Sequence, residues 1–266
     1  MRAIVLTHGG AELVLEKLAA LDNVEIVGVF IETVTKPRRG FVEKIRRSIK
    51  YDGVLGRVKK LIPRKDKAKT DADGAVNRTV LVAGRLGLKV FEVDNFHSET
   101  SVEAIRRSAA DLGVIYGTNI IKESVFSIPR LGSINLHQGL APYYRGGPPI
   151  FWELFNGEQE VGITVHFVAP KVDAGDIILQ KRLPLEYDFA YGVNFEAFIS
   201  SFKSGLREES AELIAGALDL IASGDLKRKP QDLSKGKRYR LPLKREKDEM
   251  RRRLKERINR GRNAKD

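Results

Sequence analysis

The stretch "RAIVLTHGGAELVLEKLAALDNVEIVGVFI" (residues 2–31) decides the fold. Its first run, Arg2–Thr7, is short and apolar and ends on His8-Gly9-Gly10. Leu13, Leu15, Leu18 and Leu21 then recur in a helical pattern, and Val24–Ile31 is a continuous apolar run rich in β-branched residues. Such a run belongs to a strand buried on both faces. Strand, glycine turn, helix, strand is a βαβ opening.

The same alternation continues outward. The pattern predicts a helix over Ala75–Arg85, a strand at Leu88–Val93, a helix over Glu99–Ala110 and strands within Asp111–Gly117 and Leu131–His137. Pro149–Asn156 reads as a short helix opened by proline, whose missing N–H costs nothing there. Glu160–Val168 and Asp176–Pro184 read as strands joined by a loop, and Tyr191–Ser223 as helix with weak points at Gly205 and Gly216. The expected fold is α/β, with a mostly parallel sheet and a short antiparallel edge. Ligands in such sheets bind beyond the strand C-terminal ends.

A chain of 266 residues can bury a core that needs no staples. It has no cysteine, which excludes disulfides and thiolate metal sites, and its four scattered histidines show no metal-ligand spacing. The opening "MRAIVLTHGG" lacks the long apolar region of a signal peptide, and no apolar run approaches the roughly 20 residues of a membrane span. The expectation is a soluble, cytoplasmic protein.

The net charge of +12 is unevenly spread. Residues 36–69 hold 14 Lys/Arg against 3 Asp/Glu, residues 227–266 hold 18 against 6, and the rest of the chain carries −11. Inside the first segment Phe41, Ile45, Ile49, Val54, Leu55, Val58, Leu61 and Ile62 recur at helical spacing, so a basic amphipathic insertion is expected over 36–70. The second segment makes residues 226–266 a basic extension, either partly helical or disordered, on the α/β domain over 1–225. Such segments suit an anionic membrane surface or a nucleic acid such as tRNA; a solvated face, or a helical hairpin packed on the sheet, is the plainer alternative.

The chemistry gathers at "SINLHQGLAPYYRGGPP" (133–149) and "VHFVAPKVDAGDI" (165–177). Asn135 offers a carboxamide, His137 an imidazole and Asp173 a carboxylate, all beyond predicted strand ends. That set suits attack by an amine on a carbonyl, with Asn135 and His137 stabilising the oxyanion and Asp173 managing the proton. Taken singly, each residue also reads as a turn or structural residue.

The motifs "INLH", "PYYRG", "GITVHFV" and "VDAGDI", in that order, resemble the folate-dependent formyltransferase family. That family includes glycinamide ribonucleotide, methionyl-tRNA and amino-sugar N-formyltransferases, and the resemblance covers about residues 1–35 and 75–220. It implies a Rossmann-like formyltransferase fold and transfer of a formyl group from 10-formyltetrahydrofolate to an amine. Asn135, His137 and Asp173 match the catalytic triplet, with Thr164 and His166 in support. The folate would lie against Gly117, Ile120 and Ile121 on one side and Val168 and Val172 on the other. The acceptor would meet Gly9, Gly10, Gly139, Tyr144 and Arg145. The chain departs from the family in "HQGLAP" (137–142), which leaves the acceptor open. A small amine, such as an amino sugar, is the first expectation. A methionyl-tRNA enzyme without its usual C-terminal domain, a 10-formyltetrahydrofolate hydrolase and a non-catalytic nucleic-acid binder are the alternatives.

Overall fold

The computed structural model describes residues 1–33, 50–51 and 68–263. The insertion expected over 36–70 therefore lies outside the described residues, apart from 50–51 and 68–70.

Seven strands form one sheet: β1 (Arg2–Thr7), β2 (Glu25–Glu32), β3 (Val90–Val93), β4 (Leu112–Tyr116), β5 (Ser133–His137), β7 (Glu160–Phe167) and β8 (Ile177–Pro184). Their order is β3-β2-β1-β4-β5-β7-β8. β1 to β5 run parallel, and β7 and β8 add the antiparallel edge. The order reverses between β1 and β4, which opens a crevice beyond their C-terminal ends. β6 (Tyr144–Arg145) and β9 (Lys237–Arg238) form a separate two-stranded ribbon.

The helices follow from apolar spacing. α1 (Glu12–Ala19) buries Val14, Leu15 and Leu18, and α2 (Ala68–Arg85) packs beside it. α3 (Glu99–Arg107) is capped by the Ser98 side chain, which accepts from the Ser101 amide. α4 (Glu123–Phe126) is a single turn. α6 (Phe195–Gly205) and α7 (Arg207–Ser223) meet at Leu206, so the helical stretch breaks beside Gly205 and runs on through Gly216. α5 (Phe151–Asn156) begins later than the sequence predicts. Pro149 lies before it, and Ile150 caps it at φ 72°, a left-handed backbone that a β-branched residue rarely adopts. Ile150 is fully packed in an apolar cluster with Phe151, Ile163 and Phe195, and that packing holds it there.

The C-terminal segment joins that cluster. α8 (Lys244–Asn263) buries Met250 and Leu254 in it, and Trp152 Nε1 donates to Arg240 O at 2.7 Å. Within this segment Lys244–Asn263 is helical. Among the described residues, no helix is long and apolar enough to cross a membrane.

Candidate active site

β5 and β7 are antiparallel neighbours, with Asn135 paired to His166 and His137 to Thr164. This register sets Asn135, His137 and His166 together at the end of the parallel sheet. The loop after β7 brings Asp173 across to them. His137 Nδ1 lies 3.4 Å from one carboxylate oxygen of Asp173, and His166 Nε2 lies 3.5 Å from the other. Asn135 Nδ2 is 3.5 Å from His166 Nε2. The three residues expected to act together are thus adjacent, with His166 as a fourth.

The hydrogen bonds assign the ring protons. His137 Nε2–H donates to Tyr144 O, and His166 Nδ1–H donates to Phe167 O, each at 2.7 Å. In a neutral ring the remaining nitrogen is then unprotonated, and in both rings that nitrogen faces Asp173. A carboxylate flanked by two imidazole lone pairs is a place for a proton to arrive. His137 is not free to donate Nε2–H to a ligand in this arrangement. Half-buried Asn135 is the more available donor.

Burial and charge oppose each other here. Burial lowers the pKa of His137, against the pull of Asp173 and the Tyr144 carbonyl. Burial alone would raise the Asp173 carboxyl, but His166, His137 and the Gly146 amide outweigh it and hold the carboxyl at about 2. The Gly146 amide donates to Asp173 Oδ2 at 2.9 Å.

A cleft of about 970 Å³ opens on these groups. Asn135, His137, His166 and Asp173 line it, as do Gly117, Ile120, Ile121, Val168 and Val172, the residues expected against a folate. Gly9 and Gly10 also line it, but their amides are engaged within the protein: Gly9 N donates to Thr7 Oγ1 and Gly10 N to Thr79 Oγ1. Gly139, Tyr144 and Arg145 lie outside the cleft lining. Gly139 is buried, and a Cβ there would meet His137 Nε2 at 2.3 Å, so glycine makes room for the imidazole. Tyr144 stacks on Tyr239 and donates its hydroxyl to Glu158. Buried Arg145 donates to Pro142 O. Thr164, fully buried, donates to Gly139 O, and accepts from the Ala141 amide and from Gln180. It braces the loop that follows His137.

Sequence reasoning missed other residues that line the cleft. Glu196, Ser200, Lys203 and Arg207 line the cleft from α6 and α7, and Arg78 does so from α2. Glu196, Ser200, Lys203 and Arg207 follow helical spacing, but nothing in that spacing says what their shared face meets. Glu12 is paired with Arg207 and accepts from Thr79 Oγ1, so its charge is answered within the protein. Glu196 is paired with Arg251. Half-buried Lys203 has no ion-pair partner among the described residues, and burial lowers its pKa.

Known proteins share both the sequence and this frame. The methionyl-tRNA formyltransferase of Fusobacterium nucleatum is 36% identical over 147 residues, 54% of this chain and 44% of that protein. That of Moorella thermoacetica is 34% identical over 198 residues, 74% of this chain and 57% of that protein. The chain spans about half the length of these curated relatives. Glycinamide ribonucleotide transformylase 1 from Symbiobacterium toebii superposes with a TM-score of 0.57 at 20% identity, covering 87% of this chain and 94% of that one. A sugar N-formyltransferase from a Shewanella species gives 0.55 at 17% identity, covering 90% and 76%. At such identities the two structures share the fold. Residues 25–189, well over half of the chain, match the Formyl transferase family, and to that family this protein belongs.

Proposed function

We propose that this protein transfers a formyl group from 10-formyltetrahydrofolate to the primary amine of a small, anionic acceptor. The observation that carries the chemistry is the Asp173 carboxylate flanked by two imidazole nitrogens that can take a proton. The donor supplies an activated formyl carbon. It would rest between Gly117, Ile120 and Ile121 on one wall and Val168 and Val172 on the other, where apolar side chains and open backbone suit a flat heterocycle. An attacking amine must lose a proton, and the His137–Asp173 pair receives it: Nδ1 becomes N–H and faces a carboxylate already ionised. Asn135 Nδ2 donates to the formyl oxygen as negative charge builds there; when the tetrahedral adduct collapses, the formyl C–N10 bond breaks and the proton taken up by the His137–Asp173 pair passes to N10 of the departing tetrahydrofolate.

Lys203 supports an anionic acceptor. A cation lining the same cleft as Asp173, with no ion-pair partner among the described residues, favours a phosphate or similar group on the amine, as in a sugar nucleotide or a sugar phosphate. The relatives' sequences support a second reading, methionyl-tRNA, whose phosphates the basic segments 36–69 and 227–266 would meet.

Release of tetrahydrofolate, measured against a panel of amino-sugar nucleotides, amino-sugar phosphates and methionyl-tRNA, tests this. Release that depends on one phosphorylated amine is expected. In Lys203→Ala the KM for that amine should rise about tenfold, the loss of one charge-assisted contact, with kcat little changed. Release without any amine would make the protein a hydrolase and overturn the reading.

A further inference from the structure

Asp173 sits at φ 50°, a left-handed backbone that a non-glycine residue keeps only when its surroundings hold it. The groups that hold its main chain come from the far end of the sequence. Gln231 Nε2 donates to Asp173 O at 3.2 Å and to Gly175 O at 2.6 Å. Gln231 Oε1 is buried and has no partner among the described residues. Turning the amide over would set that oxygen against two carbonyls, so the two donated bonds fix its orientation.

The neighbours of Gln231 tie the same segment to both loops of the site. Lys229 and Ile177 exchange backbone bonds of 2.8 and 3.0 Å, which anchors the segment just past the Asp173 loop. Tyr239 N donates to Arg145 O at 2.7 Å, which anchors it on the loop whose Tyr144 carbonyl orients His137. Between these points Gly236 lies so close to Pro142 that a Cβ would fall 2.1 Å from Pro142 O.

We propose that residues 229–240 are a positioning strap that fixes the Asp173 carboxylate against His137, and that Gln231 is its point of action. This rests on the assignment of Asp173 and His137 as the proton-handling pair. Gln231 is not among the residues that line the cleft; it acts through the main chain of Asp173.

The test is titration of the histidine ring protons by NMR in wild type, Gln231→Met and Gln231→Ala. Met keeps the length of the side chain, removes both donors and adds no charge. Four histidines give four resolvable curves. With Asp173 released, His137 loses the carboxylate that favours its charged form. Its titration should move down by about half a unit or more, while His8 and His97 stay in place. In the transfer assay kcat should fall about tenfold to a hundredfold, the effect of a misplaced catalytic group, with the KM for donor unchanged. Asp22→Asn, on the exposed turn between α1 and β2, should match wild type in both readouts. An unmoved His137 curve in a variant that unfolds cooperatively overturns the inference. Should Met fail to fold, the Ala variant decides on the same curve. The titration needs no substrate, so a wild type inactive with 10-formyltetrahydrofolate would fail the formyl-transfer reading while the strap was still judged on His137.

Discussion

In the proposed reaction, Asn135, His137 and Asp173 divide the chemistry by what each atom faces. Asn135 has the donor least committed to the protein, at 3.5 Å from its nearest ring nitrogen. Asn135→Ala should therefore lower kcat about a hundredfold to a thousandfold with little change in the KM for donor, as for loss of one oxyanion donor; steady-state kinetics of formyl transfer checks it. The pair His137–Asp173 gives the site its acid sensitivity. Burial puts the folded pKa of His137 below its unfolded value, so its contribution is present above about 6.5 and lost as pH falls towards the folded value. Asp173, held at about 2, contributes above about 3.9 and loses that contribution as pH falls to about 2. Both signs run the same way, towards acid unfolding. The three central residues were legible because their types and order form short local motifs. Gln231 and Lys203 were not, since a glutamine in "KPQDLS" and a lysine in a helix have no local signal of what lies across from them.

At the scale of elements, the sheet was readable wherever strands are buried on both faces, as at Val24–Ile31, because nothing competes with a run of β-branched residues. The ribbon of β6 and β9 was not: each strand has two residues, and their pairing joins positions over 90 apart. The late start of α5 was hidden for a similar reason. Ile150 takes a left-handed backbone because of tertiary packing, which no propensity records. α5 also carries Glu153, almost fully buried, whose carboxyl burial raises to about 7. Its sign is opposite to that of Asp173. Its contribution is present below about 4.5 and lost as pH rises through 7, because the unfolded chain ionises it first. Glu153→Gln should raise the melting temperature at pH 8 and leave it nearly unchanged at pH 4, with a gain of up to about 3 kcal/mol at pH 8. Thermal unfolding at the two pH values checks this.

Across the whole molecule, the C-terminal segment is part of the fold that carries the site. Met250 and Leu254 share a cluster with Phe151, Trp152 and Phe195, at the base of the loop that bears Tyr144 and Arg145. Met250→Ala should cost about 2–5 kcal/mol as a core truncation. Denaturant unfolding should show that loss as one shifted cooperative transition, and an unchanged midpoint would mean that α8 is dispensable. "MRRRLKERINRGRN" concealed this role, because its apolar positions, Met250, Leu254 and Ile258, form a stripe only one residue wide among arginines. Several of those arginines are answered on the helix itself: Arg252 pairs with Glu249 and Glu256, and Arg253 with Glu249. Part of the net basic excess of residues 227–266 is answered from outside the segment, where Arg251 pairs with Glu196 of α6.

The central claim is that the carboxylate of Asp173 takes part in moving a formyl group to an amine. Single-turnover transfer from 10-formyltetrahydrofolate to the acceptor found by the panel, compared between wild type and Asp173→Asn, tests it most directly. The asparagine keeps the shape and the Gly146 contact but cannot hold the charge that receives the proton beside His137. A fall in the transfer rate of about a hundredfold to ten-thousandfold is expected, with donor binding intact by calorimetry. A variant that binds donor and transfers at the wild-type rate would contradict the account.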